Sequence, residues 1–518
     1  MEPLLISLDA GTQSVRAALY DLKGQLIDIC KIPIEPYFST QPGWAEQEPE
    51  YYWEKLCEAT QGLVKNNAQH LSAIQGICVT TQRATVINLD KNGRPLRPAI
   101  VWLDQRKAKL NGDLEWWLKW PLKIAGQFDL VKHVMTESES RWLMQNQQDV
   151  WKKTAHYVYL SGYFYYKLVG EIVESKGNMV GYMPFDYKKM NWAEKGDLKH
   201  KFMPVEKEKL SPLVDPGTVV GQLTAEAAEA TGLPKGLKVI AGAADKACEV
   251  LGSGCIEPDW ACLSFGTTAT VETCFPKYVE VIPFMPSYPS AIPGHYNTEV
   301  MVFRGFWMVS WFKQQFGSRE VKKAKKLGIA PEILFDELIR EIPPGSMGLT
   351  LQPYWSPGIK TPGPEAKGAI IGFGDVHTRA HIYRAILEGL AYSLKEGLEQ
   401  TQKATKVKVK ALKISGGGSQ SDEAMQLTSN VFNLPAYRPH TFETSSLGAA
   451  MLGAVGLGFM DNYKMAVNEM CHTSRVFEPQ KEVVSIYEDL YKDVYQKMYH
   501  QLKPLYHSIG KITGYPRL

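Results

Sequence analysis

Asp245 is the residue in this chain best suited to move a proton. It lies in AGAADKACEVLGSG (241–254), where small residues ahead of it allow close backbone approach and a helix is expected to begin. An aspartate there reads either as an N-cap or as a general base taking a proton from an alcohol that attacks a phosphoryl group. Two other segments supply phosphate chemistry. LLISLDAGTQSVRAALYD (4–21) and ACLSFGTTATVET (261–273) are each an apolar run, a tight Gly-Thr turn and a second alternating run. A strand, a sharp turn and a returning strand put Gly11, Thr12, Gln13 and Ser14 at a hairpin tip, their N–H groups and hydroxyls facing outward. Such a concave row of donors holds phosphate oxygens, although an ordinary glycine turn has the same sequence. Gly266, Thr267 and Thr268 repeat this chemistry about half a chain later. Asp9, just before the first turn, can hold a magnesium ion directly or through water.

Three further groups are suited to binding. Gly416, Gly417 and Gly418 follow the strand LKIS and precede a helix. Bare backbone there accepts a flat group such as adenine, or simply makes a glycine-rich connection. Gln82 and Arg83 close a strand, and Trp102 lies in IVWLDQR with Asp104 and Arg106. Arg and Gln offer donors to polyol oxygens and an indole face stacks on sugar C–H groups. Burial of Trp102 and an Asp104–Arg106 ion pair read equally well. Neither GxxxxGK[ST] nor GxGxxG opening a helix occurs, so the phosphate loops built on those motifs are excluded.

The elements that must position these residues alternate in type. After the opening hairpin come a strand over 25–33, the Pro/Gly-rich loop QPGWAEQEP, a helix over 48–66, and strands at 74–80 and 85–89. The span 151–168 reads as one buried aromatic helix. The second half repeats the style. A hairpin near Leu263 is followed by a long irregular stretch over 283–364, a helix over 378–401, a strand over 407–415, and helices over 422–432 and 446–457. The tail, 483–502, predicts one amphipathic helix with Tyr487, Tyr491, Tyr495 and Tyr499, stopped by Pro504. Two βββαβα-like halves fit two α/β domains, 1–253 and 254–518, hinged near 252–258.

At 518 residues the chain is long enough for more than one domain. Its formal net charge of +3 argues neither for nor against a nucleic-acid partner, none is expected, and the basic runs at 322–326 and 403–410 read as binding patches or, more commonly, solvated helix or strand faces. The eight cysteines form no CxxC pair and no zinc spacing, so buried reduced thiols are expected. No stretch is apolar enough to span a bilayer and the first residues open straight into a strand, which together predict a cytoplasmic protein.

Taken together, the segments resemble the FGGY carbohydrate kinases, in the superfamily that also holds actin and the heat-shock chaperone ATPases. They are DAGTQSVRAALYD, PGWAEQEPEYYW, TTQRA, VWLDQR, GAADKACEVLGSG, LSFGTTA, GAIIGFG…HIYRAILEGLAY, ISGGGSQSDEAMQLTSNVFNLP and ETSSLGAAMLGA, in order over nearly the whole chain. The resemblance implies two actin-like (ribonuclease H-like) ATPase domains with a cleft between them that closes over ATP and Mg2+, with a small sugar or polyol in the cleft and a homodimer in prospect. It makes Asp245 the catalytic aspartate and Asp9 the magnesium-side carboxylate. Thr12, Gln13 and Ser14 form the first phosphate hairpin and Gly266, Thr267 and Thr268 the second. Gly416, Gly417, Gln420 and Asn430 fall in the adenosine segment, and Gln82, Arg83 and Trp102 at sugar-side positions. Three departures stand out. Glycerol kinases show QRET where this chain has Gln82-Arg83-Ala84-Thr85, and Gln where it has Lys246. The segment 139–142 lacks the family's usual lysine. Lys246 suits either an acidic sugar or a salt bridge to a neighbouring acid.

Overall fold

The computed structural model describes residues 2–110, 112, 116–356, 358 and 362–515; part of the expected irregular stretch 283–364 therefore lies outside the described residues. The chain divides into two compact units. The first comprises 1–254, 275–297 and 443–471, and the second comprises 255–274, 298–442 and 472–518.

In the first unit, Leu4–Ala10 is buried at every residue, the mark of a central strand covered on both faces. It pairs antiparallel with Ser14–Asp21, in a register that sets Asp9 opposite Arg16, and parallel with Ile74–Thr81. The sheet runs Val219–Gln222, Lys238–Ala244, Ile74–Thr81, Leu4–Ala10, Ser14–Asp21, Leu26–Pro33. The helix Pro49–Asn66 packs Tyr52, Trp53, Leu56 and Leu63 on one face of it. The helices Asp245–Gly252 and Thr444–Gly456 pack against each other. A smaller sheet, Glu46–Gln47, Ala99–Ile100, Val86–Leu89 and His156–Tyr159, lies beside the larger one in the same unit.

The second unit repeats the hairpin-first order. Trp260–Phe265 pairs antiparallel with Ala269–Phe275 and parallel with Ala411–Ser415, which continues parallel to Ala436–Pro439. The long helix Arg379–Thr405 carries the centre of its core, with Thr378 and His381 closing a reciprocal cap at the start.

Three expectations fail, each for a physical reason. The span 151–168 is not one helix: Gln148–Lys153 ends, His156–Tyr159 pairs antiparallel with Val86–Leu89, and only then does Leu160–Val169 coil. Tertiary pairing overrides a run of aromatics that suits either state. The stretch over 283–364 contains helices Trp307–Phe316, Ser318–Leu327 and Pro331–Arg340. Pro504 does not stop the tail. Lys481–Asp489 passes through a π-helical turn, Leu490–Tyr495, into Gln496–Thr513, with Pro504 inside. Tyr506, beyond the proline, is buried with Tyr354, Ala366 and Tyr499, and that anchor holds the helix past the missing N–H.

All eight cysteines are free thiols, and six of them are buried. Among the described residues no helix is long and apolar enough to cross a membrane.

Candidate active site

Asp245 is the first residue of its helix, and the N-cap position belongs to Ala244. Its Oδ1 accepts the backbone N–H of Lys246 at 2.8 Å. Burial raises the Asp245 pKa above the usual carboxylate value, against the pull of Arg83 and Lys246. Lys246 donates to Glu249 Oε2 at 2.6 Å, one helical turn on, so the ammonium lies in an ion pair with a buried acid. Of the two readings of Lys246, the salt bridge is the one present.

The first hairpin brings Asp9 into the same neighbourhood. Asp9 is buried and accepts from Arg16 Nη1 at 2.9 Å, while Arg16 also reaches Glu443 at 3.2 Å. One guanidinium thus serves two carboxylates, with Asp245 adding a third negative charge. Desolvation outweighs Arg16 and lifts the Asp9 pKa from 3.8 to about 6. A buried acid short of positive charge fits a cation. Among the described residues no cluster of three His, Cys, Asp or Glu side chains forms a ready metal cage, so such a cation would take most of its ligands from water and phosphate.

This carboxylate makes a prediction. Folded Asp9 holds its proton more tightly than unfolded Asp9, so its contribution to wild-type stability falls as pH rises from about 4 through about 6 and then levels. Asp9→Asn lacks that loss. Without nucleotide it should unfold later than wild type at pH 7, by about 2 kcal/mol, with the gain vanishing near pH 4. Thermal denaturation across that range reads the difference.

Around the hairpin tip a hydrogen-bonded chain joins three candidate residues. Trp102 Nε1 donates to Thr12 Oγ1 at 3.0 Å, Thr12 donates to Gln82 Oε1 at 3.1 Å, and Gln82 Nε2 donates to Tyr52 Oη at 3.0 Å. The Thr12 hydroxyl therefore ties the indole to the strand end. Ser14 is buried as the first residue of the returning strand, Gln13 is exposed, and Gly11 N–H closes the turn on Ser14 O at 3.1 Å. The tip donors accordingly do not form one outward row. Arg83 lies 5.7 Å over the Tyr288 ring, a cation–π contact that sequence spacing cannot reveal because the partners are some two hundred positions apart. Ala84 adopts φ 53°, a conformation that disfavours larger side chains.

In the second unit, Gly266, Thr267 and Thr268 join Trp260–Phe265 to Ala269–Phe275, with Thr267 exposed. The carbonyls of Gly266 and Thr267 accept Phe306 and Trp307 N–H at 3.0 and 3.3 Å, and Thr268 Oγ1 donates to Phe303 O at 3.4 Å. Phe265 stacks on Phe306 at 4.3 Å. Gly416 has φ +82° and its missing Cβ would lie 3.0 Å from Phe265 backbone, so the glycine turn sits on the hairpin. Gly417 and Gln420 are exposed in the turn, which Arg438 braces by donating to Ser419 O at 2.7 Å. Asn430 is buried in the next helix, its Oδ1 accepting Gln480 N–H at 2.8 Å and its Nδ2 donating to Gln480 Oε1 at 3.1 Å. Its amide supports the unit's own backbone.

Arg16, Glu443, Tyr288, Phe306 and Arg438 escaped the sequence reading. Only Arg16 carried a signal: counting outward from the hairpin tip sets it opposite Asp9.

Hairpin-first sheets in two units, with a half-buried aspartate at a helix start in the first, are the fold of a class of phosphotransferases with an alcohol acceptor. The chain belongs to the FGGY family of carbohydrate kinases, whose N-terminal domain matches residues 4–252 and whose C-terminal domain matches 261–457. It is 31% identical over 482 residues to the uncharacterized sugar kinase YgcE of Escherichia coli K12, covering 92% of this chain and 89% of that protein. A xylulose kinase of Lactococcus lactis is 28% identical over 94% of this chain and 95% of its own. The fold is that of the gluconate kinase crystal structure from Lactobacillus acidophilus, with a TM-score of 0.82 at 21% identity over 98% of this chain and 100% of that one. The protein is an ATP-dependent carbohydrate kinase.

Proposed function

We propose that Asp245 takes the proton from one hydroxyl of a small sugar or polyol as that oxygen attacks the γ-phosphorus of ATP. The observation that carries this reading is the meeting of Asp245, Arg83, Gln82, Thr12 and Trp102 in one unit. In a loose transition state little proton removal is needed early, so orienting the hydroxyl matters as much as basicity. Gln82 and Arg83 bind sugar oxygens and Trp102 offers an indole face. Thr12, Gln13 and Ser14 belong to the first phosphate hairpin and Gly266, Thr267 and Thr268 to the second. Gly416, Gly417 and Gln420 take the adenosine, with Asn430 supporting that turn from the next helix. Asp9 holds Mg2+, directly or through water, and the ion when bound supplies positive charge to the phosphate oxygens. The ion pair of Lys246 with Glu249 leaves an acidic sugar without special support.

Xylulose and gluconate, named for the relatives, belong in the first panel tested. We place the enzyme in the cytoplasm, acting on a small molecule, with a homodimer as the form to test. Loss of Asp9 or Asp245 would have favoured a non-catalytic regulator on this fold, and both are present. A coupled ADP-release screen over ketoses, polyols, aldonates and deoxy sugars tests the reading. Turnover with at least one acceptor is expected; silence on all of them with ATP still bound would return the regulator.

A further inference from the structure

Trp102 is exposed, yet its backbone is held with unusual firmness. Val101 N–H donates to Ala45 O at 3.0 Å and Gln105 N–H to Gly43 O at 2.8 Å, stitching 101–105 to 43–45. The Asp104 carboxylate accepts Ala45 N–H at 2.6 Å, Arg106 N–H at 2.9 Å, Arg106 Nε at 2.7 Å and Arg106 Nη2 at 2.8 Å. Arg106 Nη2 also donates to Glu46 Oε1 at 2.9 Å, a carboxylate shared with Arg97. The Arg106 guanidinium lies 4.1 Å from the Trp44 ring centre and 4.6 Å from that of Trp142, and the two indoles meet edge to face at 5.2 Å. Four carboxylate hydrogen bonds and two aromatic faces converge on one buried arginine, far more than an isolated ion pair requires. Trp44, Arg106 and Trp142 come from three separate segments, and what they lock together is the loop that presents Trp102 to Thr12.

We propose that Arg106 is a positioning residue for sugar binding: seated in the corner formed by Trp44 and Trp142, it fixes Asp104 and thereby the 101–106 loop, so that the Trp102 indole is set before the sugar arrives. This rests on the reading that Trp102 faces the sugar, but the clamp itself can be tested without one. A planar guanidinium is required, because a lysine ammonium cannot lie flat against an indole while binding a carboxylate in fork geometry.

The test uses full-length protein labelled with 5-fluorotryptophan, the Trp102 19F resonance being assigned by its loss in Trp102→Phe. In Arg106→Lys that resonance should shift and broaden. The KM for the accepted sugar should rise about tenfold while kcat and the KM for ATP stay within about threefold. Trp142→Phe keeps an aromatic face and should keep the wild-type resonance. An unchanged Trp102 signal in a folded Arg106→Lys, or an unchanged sugar KM, would reduce Arg106 to a structural residue and overturn the proposal. If Arg106→Lys does not fold, Asp104→Asn takes its place with the same expectations. A screen that yields no acceptor speaks against the sugar-kinase roles above and leaves the 19F arm to decide the clamp.

Discussion

Asp245→Asn should lower kcat by about 10³-fold and leave the affinity for ATP within about threefold of wild type. The amide keeps the shape of the carboxylate and can still accept Lys246 N–H, so the helix start is preserved. What it cannot do is take a proton. Isothermal titration with ATP and single-turnover transfer separate the two effects. Wild-type turnover by the variant would remove the base assignment; loss of ATP binding together with a lowered melting temperature would point to damage to the fold instead. The pH profile adds a second check. Because burial lifts the Asp245 pKa above its ordinary 3.8, the acidic fall in kcat/KM should set in above that value, and the Asn variant should lack that limb.

A second large effect comes from a residue that touches no ligand. The helix that starts at Asp245 crosses the helix Thr444–Gly456 with backbones in contact. A Cβ on Gly448 would lie 2.0 Å from Cys248 O, and one on Gly252 would lie 2.0 Å from Thr444 O. Alanine at 448 gains helix propensity, worth about 1 kcal/mol over glycine, but the clash with rigid backbone costs more. Gly448→Ala should therefore destabilise the protein by about 2 kcal/mol and reduce kcat by displacing Asp245. Gly510, inside Gln496–Thr513, meets nothing closer than 3.9 Å, so Gly510→Ala should be neutral or stabilising. Urea denaturation of both variants reads the contrast; equal effects would dismiss close packing as the reason for Gly448.

Much of the first unit's site is legible in sequence because it is local. The hairpin tip, Asp9 and its cross-strand partner Arg16 follow from strand alternation about one glycine turn, and the helix at Asp245 follows from small residues before an acid. What was not legible is long-range or lacks periodicity. Tyr288 beneath Arg83 and the Trp44–Arg106–Trp142 cluster join segments whose separation says nothing about contact. The helix Ser318–Leu327 (SREVKKAKKL) carries only Val321, Ala324 and Leu327 among charged residues and buries only Ala324, so its apolar stripe is too thin to stand out from a solvated basic run. His156–Tyr159 became a strand because Val86–Leu89 was there to pair with, and the last helix outran Pro504 because Tyr506 holds it down. The hydroxyl of Thr12, read from sequence as a phosphate donor, is engaged with Trp102 and Gln82. That was invisible until both partners were placed.

The central claim is direct transfer of phosphate to a sugar or polyol hydroxyl. Phosphorus-31 NMR of a reaction containing enzyme, Mg2+, ATP and the acceptor found by the screen tests it most directly. A sugar phosphomonoester resonance should grow one for one with ADP, with inorganic phosphate near background. ADP formed with inorganic phosphate as its only partner would contradict the claim and make the chain an ATPase.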